Sequence, residues 1–265
     1  MRFRIRGVGR LEGLVQRVLL PIIPPFRPEV VILAYHRVFE ASSDPQLLCV
    51  TPQHFAEHLE HLRRHYRIMS LCDLARALRE GLLQKRAVVI TFDDGYADNL
   101  LNAKPLLERY EAPATVFVAT GYVGRGREFW WDELERLLLW TPQLPECLQV
   151  TLNGVAYEWH LDKYAQFPEK ERISYRQWHV ELPDDPTLRH WAYRELHRLL
   201  RSPEEEGREA VLAQLRAQSE DEGSGRADCR TMTPEEVRRL AEGGLVAVGA
   251  HTETHPVLAT QPVQI

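Results

Sequence analysis

The chain has 265 residues, of which 44% are hydrophobic and 27% are charged, an ordinary composition for a globular protein. This composition excludes disordered and collagen-like chains, and no run of about 18 apolar residues predicts a transmembrane segment. The 38 acidic residues outnumber the 33 basic ones, giving a net charge of −5, so we expect no nucleic-acid partner.

The N-terminal segment, residues 1–28, is more basic than the rest of the chain. It carries six arginines and one acid, Glu12. Arg17 interrupts its apolar run, and no small-residue cleavage site follows, which disfavours a secretion signal. We predict a solvated lead-in, with peripheral contact to an anionic membrane as the alternative. The expected location is therefore cytoplasmic or membrane-peripheral in a bacterium rather than secreted.

Strand and helix signals alternate in the first half of the chain. Residues 29–38 predict a strand covered on both faces, because the segment is apolar without alternation. Thr51 and Pro52 are good N-cap and first helical residues. The predicted elements, in order, are strand 29–38, a helix from Thr51, helix 71–80 ending at Gly81, strand 87–92, helix 98–110 and strand 114–119. This alternation is typical of parallel βαβ units.

The alternation breaks after Gly126. The residues that follow, 127–228, are polar and mostly helical, and we interpret them as an insertion within one domain that spans residues 29–265. Within the insertion, Asp132 is predicted to cap a helix over residues 133–140. The pair Asn153-Gly154 predicts a β-hairpin turn within residues 149–161. The βα pattern then returns with a capping box at Thr233 and a strand over 245–250.

Four cysteines are spread along the chain without any CxxC pair, at positions Cys49, Cys72, Cys147 and Cys229. This spacing indicates neither a disulfide framework nor a zinc knuckle. We expect buried free thiols.

Two adjacent acids, Asp93 and Asp94 of the segment TFDDGY, follow a predicted buried strand. Neighbouring carboxylates repel and lose hydration at such a position, so a ligand or counter-charge is expected to compensate them. Gly95 lets the chain turn sharply, so both acids can face one site. The alternative is a purely structural role, in which one Asp caps the next helix.

A second motif, HTETHP, follows the last predicted strand and contains His251 and His255. Because the carboxyl ends of parallel strands meet at one edge of a sheet, we expect these histidines to lie near the two acids. Two imidazoles and one carboxylate form a facial metal site with open positions.

Further histidines need separate interpretations. His36 ends the first predicted strand, so it belongs to the same sheet edge as Asp93, although a histidine there is often only a core residue. Four others form a stripe on the first predicted helix beside its apolar face, and we interpret them as a solvated surface: His54, His58, His61 and His65.

The motifs TFDDGY and HTETHP resemble those of the polysaccharide deacetylase family, the NodB-homology or carbohydrate esterase family 4 proteins. The resemblance implies that Asp93 is the general base and that Asp94, His251 and His255 bind one divalent metal ion, zinc or alternatively cobalt, nickel or iron. It also implies an α/β fold, a distorted parallel (β/α) barrel with a mostly helical insertion. The implied reaction is removal of acetyl groups from N-acetylated sugars of an oligo- or polysaccharide.

The chain departs from the family pattern after His255. Family members continue with further strands and a late histidine that supplies the catalytic acid, whereas this sequence stops at Ile265. We therefore expect either a barrel that lacks its last strands or a truncated open reading frame. In deacetylases of poly-N-acetylglucosamine a histidine after an N-terminal strand supplies the acid, and LAYHRV matches that pattern, which assigns this role to His36. The alternative is a degenerate domain that binds glycan without turnover.

Overall fold

The computed structural model describes residues 30–83, 85–202, 204–219 and 225–260. The predicted basic lead-in, residues 1–28, lies outside these ranges. The strands within them are β1 Val30–Tyr35, β2 Arg37–Val38, β3 Cys49–Val50, β4 Arg67–Ile68, β5 Ala87–Phe92, β6 Ala114–Val118, β7 Cys147–Leu152, β8 Val155–His160 and β9 Val246–Ala250.

The described α-helices are α1 Pro52–His65, α2 Leu71–Glu80, α3 Lys104–Arg109, α4 Trp130–Glu135, α5 Glu169–Ser174, α6 Leu188–Leu200, α7 Glu205–Ser219 and α8 Pro234–Ala241. Two π-helical turns extend them: Asn99–Ala103 leads into α3, and Arg136–Trp140 continues α4. None of the helices in the described ranges combines the length and the apolar character needed to cross a membrane.

A parallel sheet forms the centre of the fold. Its strand order is β1-β5-β6-β9, and β4 pairs with the start of β5. Strand β5 is buried along its whole length, as its β-branched sequence predicts. The structure thus confirms a mixed α/β fold with a parallel sheet, and closure of that sheet into a barrel stays a prediction.

Strand β1 differs from the expectation that both of its faces are covered. Its burial alternates, and Ile32 is 53% exposed. Val248 lies on β9, at the opposite end of the strand order, and is 37% exposed. The prediction was wrong because an apolar run cannot by itself distinguish a strand covered on one face from a strand covered on both.

Several helix caps and a hairpin turn form where the sequence predicts them. The Thr51 side chain accepts a hydrogen bond from the His54 N–H at the start of α1, and Gly81 ends α2 in the left-handed conformation. Thr233 and Glu236 form the predicted capping box of α8. The Asn153-Gly154 turn joins β7 to β8 in an antiparallel hairpin.

Helix α4 begins earlier than predicted, at Trp130, so Asp132 does not cap a helix over residues 133–140. The Asp132 carboxylate is instead buried and accepts a hydrogen bond from the Tyr96 hydroxyl at 2.7 Å. Tertiary burial of the tryptophans therefore overrides the local preference of Asp for a cap. A hydrophobic core surrounds α4. It also contains buried residues of α6, α7 and the β7-β8 hairpin.

Candidate metal centre

The loops after β5 and β9 meet at the carboxyl edge of the sheet. The Asp93 N–H donates to the Tyr35 carbonyl of β1 at 2.9 Å, which fixes the backbone where β5 ends. The His251 N–H donates to the Val118 carbonyl of β6 at 2.8 Å. The two predicted motifs therefore follow β5 and β9, the strands on either side of β6, at the same edge of the sheet.

Asp94, His251 and His255 lie together at this edge. The Asp94 Oδ1 atom is 3.2 Å from the Nε2 atom of His255 and 3.7 Å from that of His251. One ligand atom from each of the three residues lies within 4.8 Å of the others. Asp94 is only 2% exposed, whereas both histidines are half-buried.

The Asp94 Oδ1 atom is buried and has no hydrogen-bond partner among the described residues. A buried carboxylate oxygen without a partner is costly, so such an atom calls for a compensating group. Two imidazole nitrogens face the same point. A carboxylate and two imidazoles are a donor set suited to a divalent transition metal, so the residues present fit such an ion.

The backbone turns sharply at the two adjacent acids. Asp94 and Gly95 both have positive φ angles, 74° and 87°, so the chain reverses directly after β5. His255 also has a positive φ, 53°, and its N–H donates to the Thr252 hydroxyl at 3.1 Å. Non-glycine residues adopt this region at a cost, so the surrounding contacts must hold both turns in place.

Replacing Gly95 with Ala is expected to lower the free energy of unfolding by about 2–4 kcal/mol, because the positive φ and the lack of space act together. An added Cβ would lie 2.8 Å from Cγ1 of Val118. Gly126→Ala is the matched control, since Gly126 also has a positive φ but nothing within 4 Å of the added Cβ. Urea unfolding of both variants measures the difference, and equal losses would contradict the steric argument.

An aromatic cluster supports His255. The Trp131 ring packs edge to face against the His255 imidazole, with centroids 4.9 Å apart. The Trp131 indole N–H donates to the Tyr96 hydroxyl at 2.8 Å, and that hydroxyl donates to Asp132. Burial raises the pKa of Asp132 to about 7, although the charges of Arg226 and Arg37 oppose this rise. These buried rings pack around a predicted ligand rather than forming an exposed surface for sugar.

Arg226 is the centre of a buried charge network beneath this cluster, and no sequence motif predicted its role. Its Nε atom lies 2.8 Å from Glu128, and one terminal nitrogen lies 3.0 Å from Glu135. The other donates to the Asp132 carbonyl at 2.9 Å. All three acids belong to the segment 128–135. The repeated acids around FWWD were therefore the sequence feature that indicated a basic partner.

Replacing Arg226 with Met is expected to lower the free energy of unfolding by about 3–5 kcal/mol, because buried carboxylates would lose their partner. Arg238→Met is the control: Arg238 pairs with Glu235 on the surface, where both side chains are more than two-thirds exposed. Such pairs contribute about 0–1 kcal/mol. Chemical denaturation of the two variants checks the prediction, and a small loss for Arg226→Met would mean that the network is not stabilising.

The remaining predicted residues lie as follows. Asp93 is half-buried beside Asp94, and His36 is half-buried directly after β1, where its carbonyl accepts a hydrogen bond from the Asn99 amide at 2.8 Å. Their roles stay predictions. The helical histidine stripe is exposed on α1, and within the described ranges none of its members belongs to a potential metal-binding group.

The expectation of buried thiols holds only in part. Cys229 is buried and Cys72 is exposed, while Cys49 and Cys147 are half-buried. The prediction was wrong for Cys72 because this residue lies on the outer side of α2. The buried residue of this helix is Leu74.

Known proteins resemble part of this chain. Residues 81–139 match the family model for polysaccharide deacetylases. The poly-beta-1,6-N-acetyl-D-glucosamine N-deacetylase of Staphylococcus aureus is 31% identical over 105 residues, which are 35% of this chain and 36% of that protein. YxkH of Bacillus subtilis is 28% identical over 108 residues, 40% of this chain and 37% of that protein.

Among solved structures, IcaB from Ammonifex degensii has 30% sequence identity and a TM-score of 0.34, covering 37% of this chain and 41% of that one. The chain thus spans a little over a third of the length of the curated relatives it matches. The matched segment 81–139 contains both acids of TFDDGY and the FWWD helix that packs on His255. Over this segment, the chain is similar to the polysaccharide deacetylase family of the NodB-homology type.

Proposed function

We propose that this protein is a metal-dependent hydrolase that removes acetyl groups from N-acetylated sugars of a polysaccharide. The observation that carries the proposal is the buried Asp94 Oδ1 atom, which lacks a hydrogen-bond partner in the described chain and faces two imidazoles. The match of residues 81–139 to the polysaccharide deacetylase model and the name of the staphylococcal relative support the same class of reaction.

Asp94, His251 and His255 would hold the ion, which we propose to be zinc, with cobalt, nickel or iron as alternatives. When bound, such an ion supplies Lewis-acid chemistry, because it polarises a carbonyl oxygen and acidifies water. Three protein ligands leave coordination positions open, which is the usual arrangement of a catalytic rather than a structural site.

Asp93 is proposed to take the proton from the attacking water. The residue adjoins the metal-binding group without belonging to it, so its carboxylate stays free to accept a proton. The hydrogen bond from its N–H to the Tyr35 carbonyl fixes its backbone directly before the turn at Asp94 and Gly95.

His36 is proposed to protonate the amine that leaves. Tyr35 is in register with Phe92 in the parallel pair β1-β5, so His36 directly adjoins Asp93 at the sheet edge. A general acid must be within hydrogen-bond reach of the leaving nitrogen, and the placement of His36 at a strand end beside Asp93 supports this role for a substrate bound along the edge.

Removal and restoration of metal test the proposal. After dialysis against a chelator, acetate release from an N-acetylglucosamine oligosaccharide is expected to fall to background, and one equivalent of Zn²⁺ should restore it. His255→Ala should lower the metal affinity by about 10- to 100-fold or more, because a ligand is lost. Full activity of the chelated protein would contradict the proposal, and metal binding without any acetate release would favour the non-catalytic glycan-binding alternative.

A further inference from the structure

A second group of metal-ligating side chains lies on the outer face of the β7-β8 hairpin. It consists of Cys147, Glu158 and His160, with one ligand atom of each within 4.8 Å of the others. None of these residues belongs to the candidate metal centre. The group therefore requires its own explanation.

The hairpin register creates this group. Cys147 lies directly opposite His160, and such cross-strand pairs have Cβ atoms about 4.5–5.5 Å apart. Glu158 is two residues before His160, so it points to the same face of the strand. The intervening Leu148 and Trp159 are buried on the opposite face, which fixes the three ligands toward solvent.

Helix α7 fixes the position of β7, the strand that carries Cys147. The Gln218 side chain accepts a hydrogen bond from the Gln149 N–H at 3.0 Å and donates to the Gln149 carbonyl at 2.6 Å. Gln214 repeats the pattern two residues along, at Thr151. Four hydrogen bonds therefore attach the outer edge of β7 to α7.

A hydrogen-bond donor already occupies the space between two of the ligands. The Gln149 side-chain nitrogen lies 3.6 Å from the Cys147 sulfur and 3.1 Å from a Glu158 carboxylate oxygen. The partial positive charge of that amide shows where a cation would be stabilised. Glu158 and His160 are exposed, so their side chains are free to rotate toward the spacing of about 3.5 Å between ligand atoms in tetrahedral zinc sites.

We propose that the β7-β8 hairpin binds a divalent cation of the zinc class through Cys147, Glu158 and His160. A thiolate and an imidazole select such an ion over Mg²⁺ or Ca²⁺, which prefer oxygen ligands. Binding forms a metal–sulfur bond, and the thiol proton passes to solvent. Water completes the coordination on the exposed side.

Titration with Co²⁺ tests this site separately from the candidate metal centre. Cobalt bound to a thiolate gives a charge-transfer absorption band in the near ultraviolet, and the candidate metal centre has no sulfur ligand. The wild-type band is expected to saturate at one equivalent for this site and to disappear when Zn²⁺ displaces the cobalt. Cys147→Ser should abolish the band, while Cys72→Ser, which removes an exposed thiol on α2, should leave it intact.

Two further variants distinguish failure of the hairpin site from failure of the proposed function. His255→Ala should keep the band although it weakens the candidate metal centre, so the proposed function and the hairpin site can fail independently. His160→Ala should weaken cobalt binding at the hairpin by about tenfold or more. Absence of the band in the wild-type protein, or its persistence in Cys147→Ser, would overturn the proposal, and the wild-type result decides even if a variant does not fold.

Discussion

Replacing Asp93 with Asn is expected to lower acetate release by about 10²- to 10⁴-fold, the usual contribution of a general base, without changing the metal content. Asn is nearly isosteric with Asp and keeps the backbone N–H that donates to Tyr35. It cannot, however, accept the proton of the attacking water. The loss should therefore appear in the turnover rate rather than in metal affinity or stability.

Asp94→Asn is the matched control, because it makes the same chemical change one residue further along. Its oxygen faces both imidazoles from a buried position, so this variant should lose metal affinity as well as activity. Metal analysis after dialysis and acetate release at saturating metal distinguish the two outcomes. Near-native turnover of Asp93→Asn would assign the base to another group.

The sequence was most informative where a motif follows directly on a buried strand. The β-branched run of β5 predicts its burial, and the parallel topology places the residues after β5 and β9 at one edge. The proximity of Asp94 to His251 and His255 could therefore be predicted although Asp94 and His251 are 157 positions apart in the sequence (251 − 94).

Prediction was poorer where tertiary packing overrides local preference. Asp132 has the residue type of an N-cap, but the burial of Trp130 and Trp131 starts the helix earlier and places this carboxylate against Tyr96. Arg226 pairs with acids almost a hundred residues away, and no periodicity in the sequence reports such a contact.

The ligands on the hairpin were missed for a different reason. Cys147 lies six residues before Asn153, and His160 lies six residues after Gly154 (153 − 147 and 160 − 154), so a two-residue turn places them opposite each other. The predicted hairpin already contained this information. Only an explicit register, counted outward from the turn, brings the thiol and the imidazole together.

Replacing His36 with Gln is expected to lower the turnover of an N-acetylated sugar by about 10²- to 10⁴-fold, because the leaving amine would depart without its proton donor. The same variant should hydrolyse an aryl acetate at nearly the wild-type rate, since an aryl oxide leaves without protonation. His58→Gln, on the exposed stripe of α1, is the control for losing a histidine and should change neither rate.

The pair of substrates makes the test of His36 decisive. If the residue bound the metal, His36→Gln would lose metal and slow both reactions equally. If it served only in packing, unfolding would occur at lower urea concentration and both rates would fall with the folded fraction. A selective loss on the amide substrate is expected only of a proton donor to the leaving group. His36 is placed for this role because it directly follows Tyr35, which is in register with Phe92, the residue before Asp93.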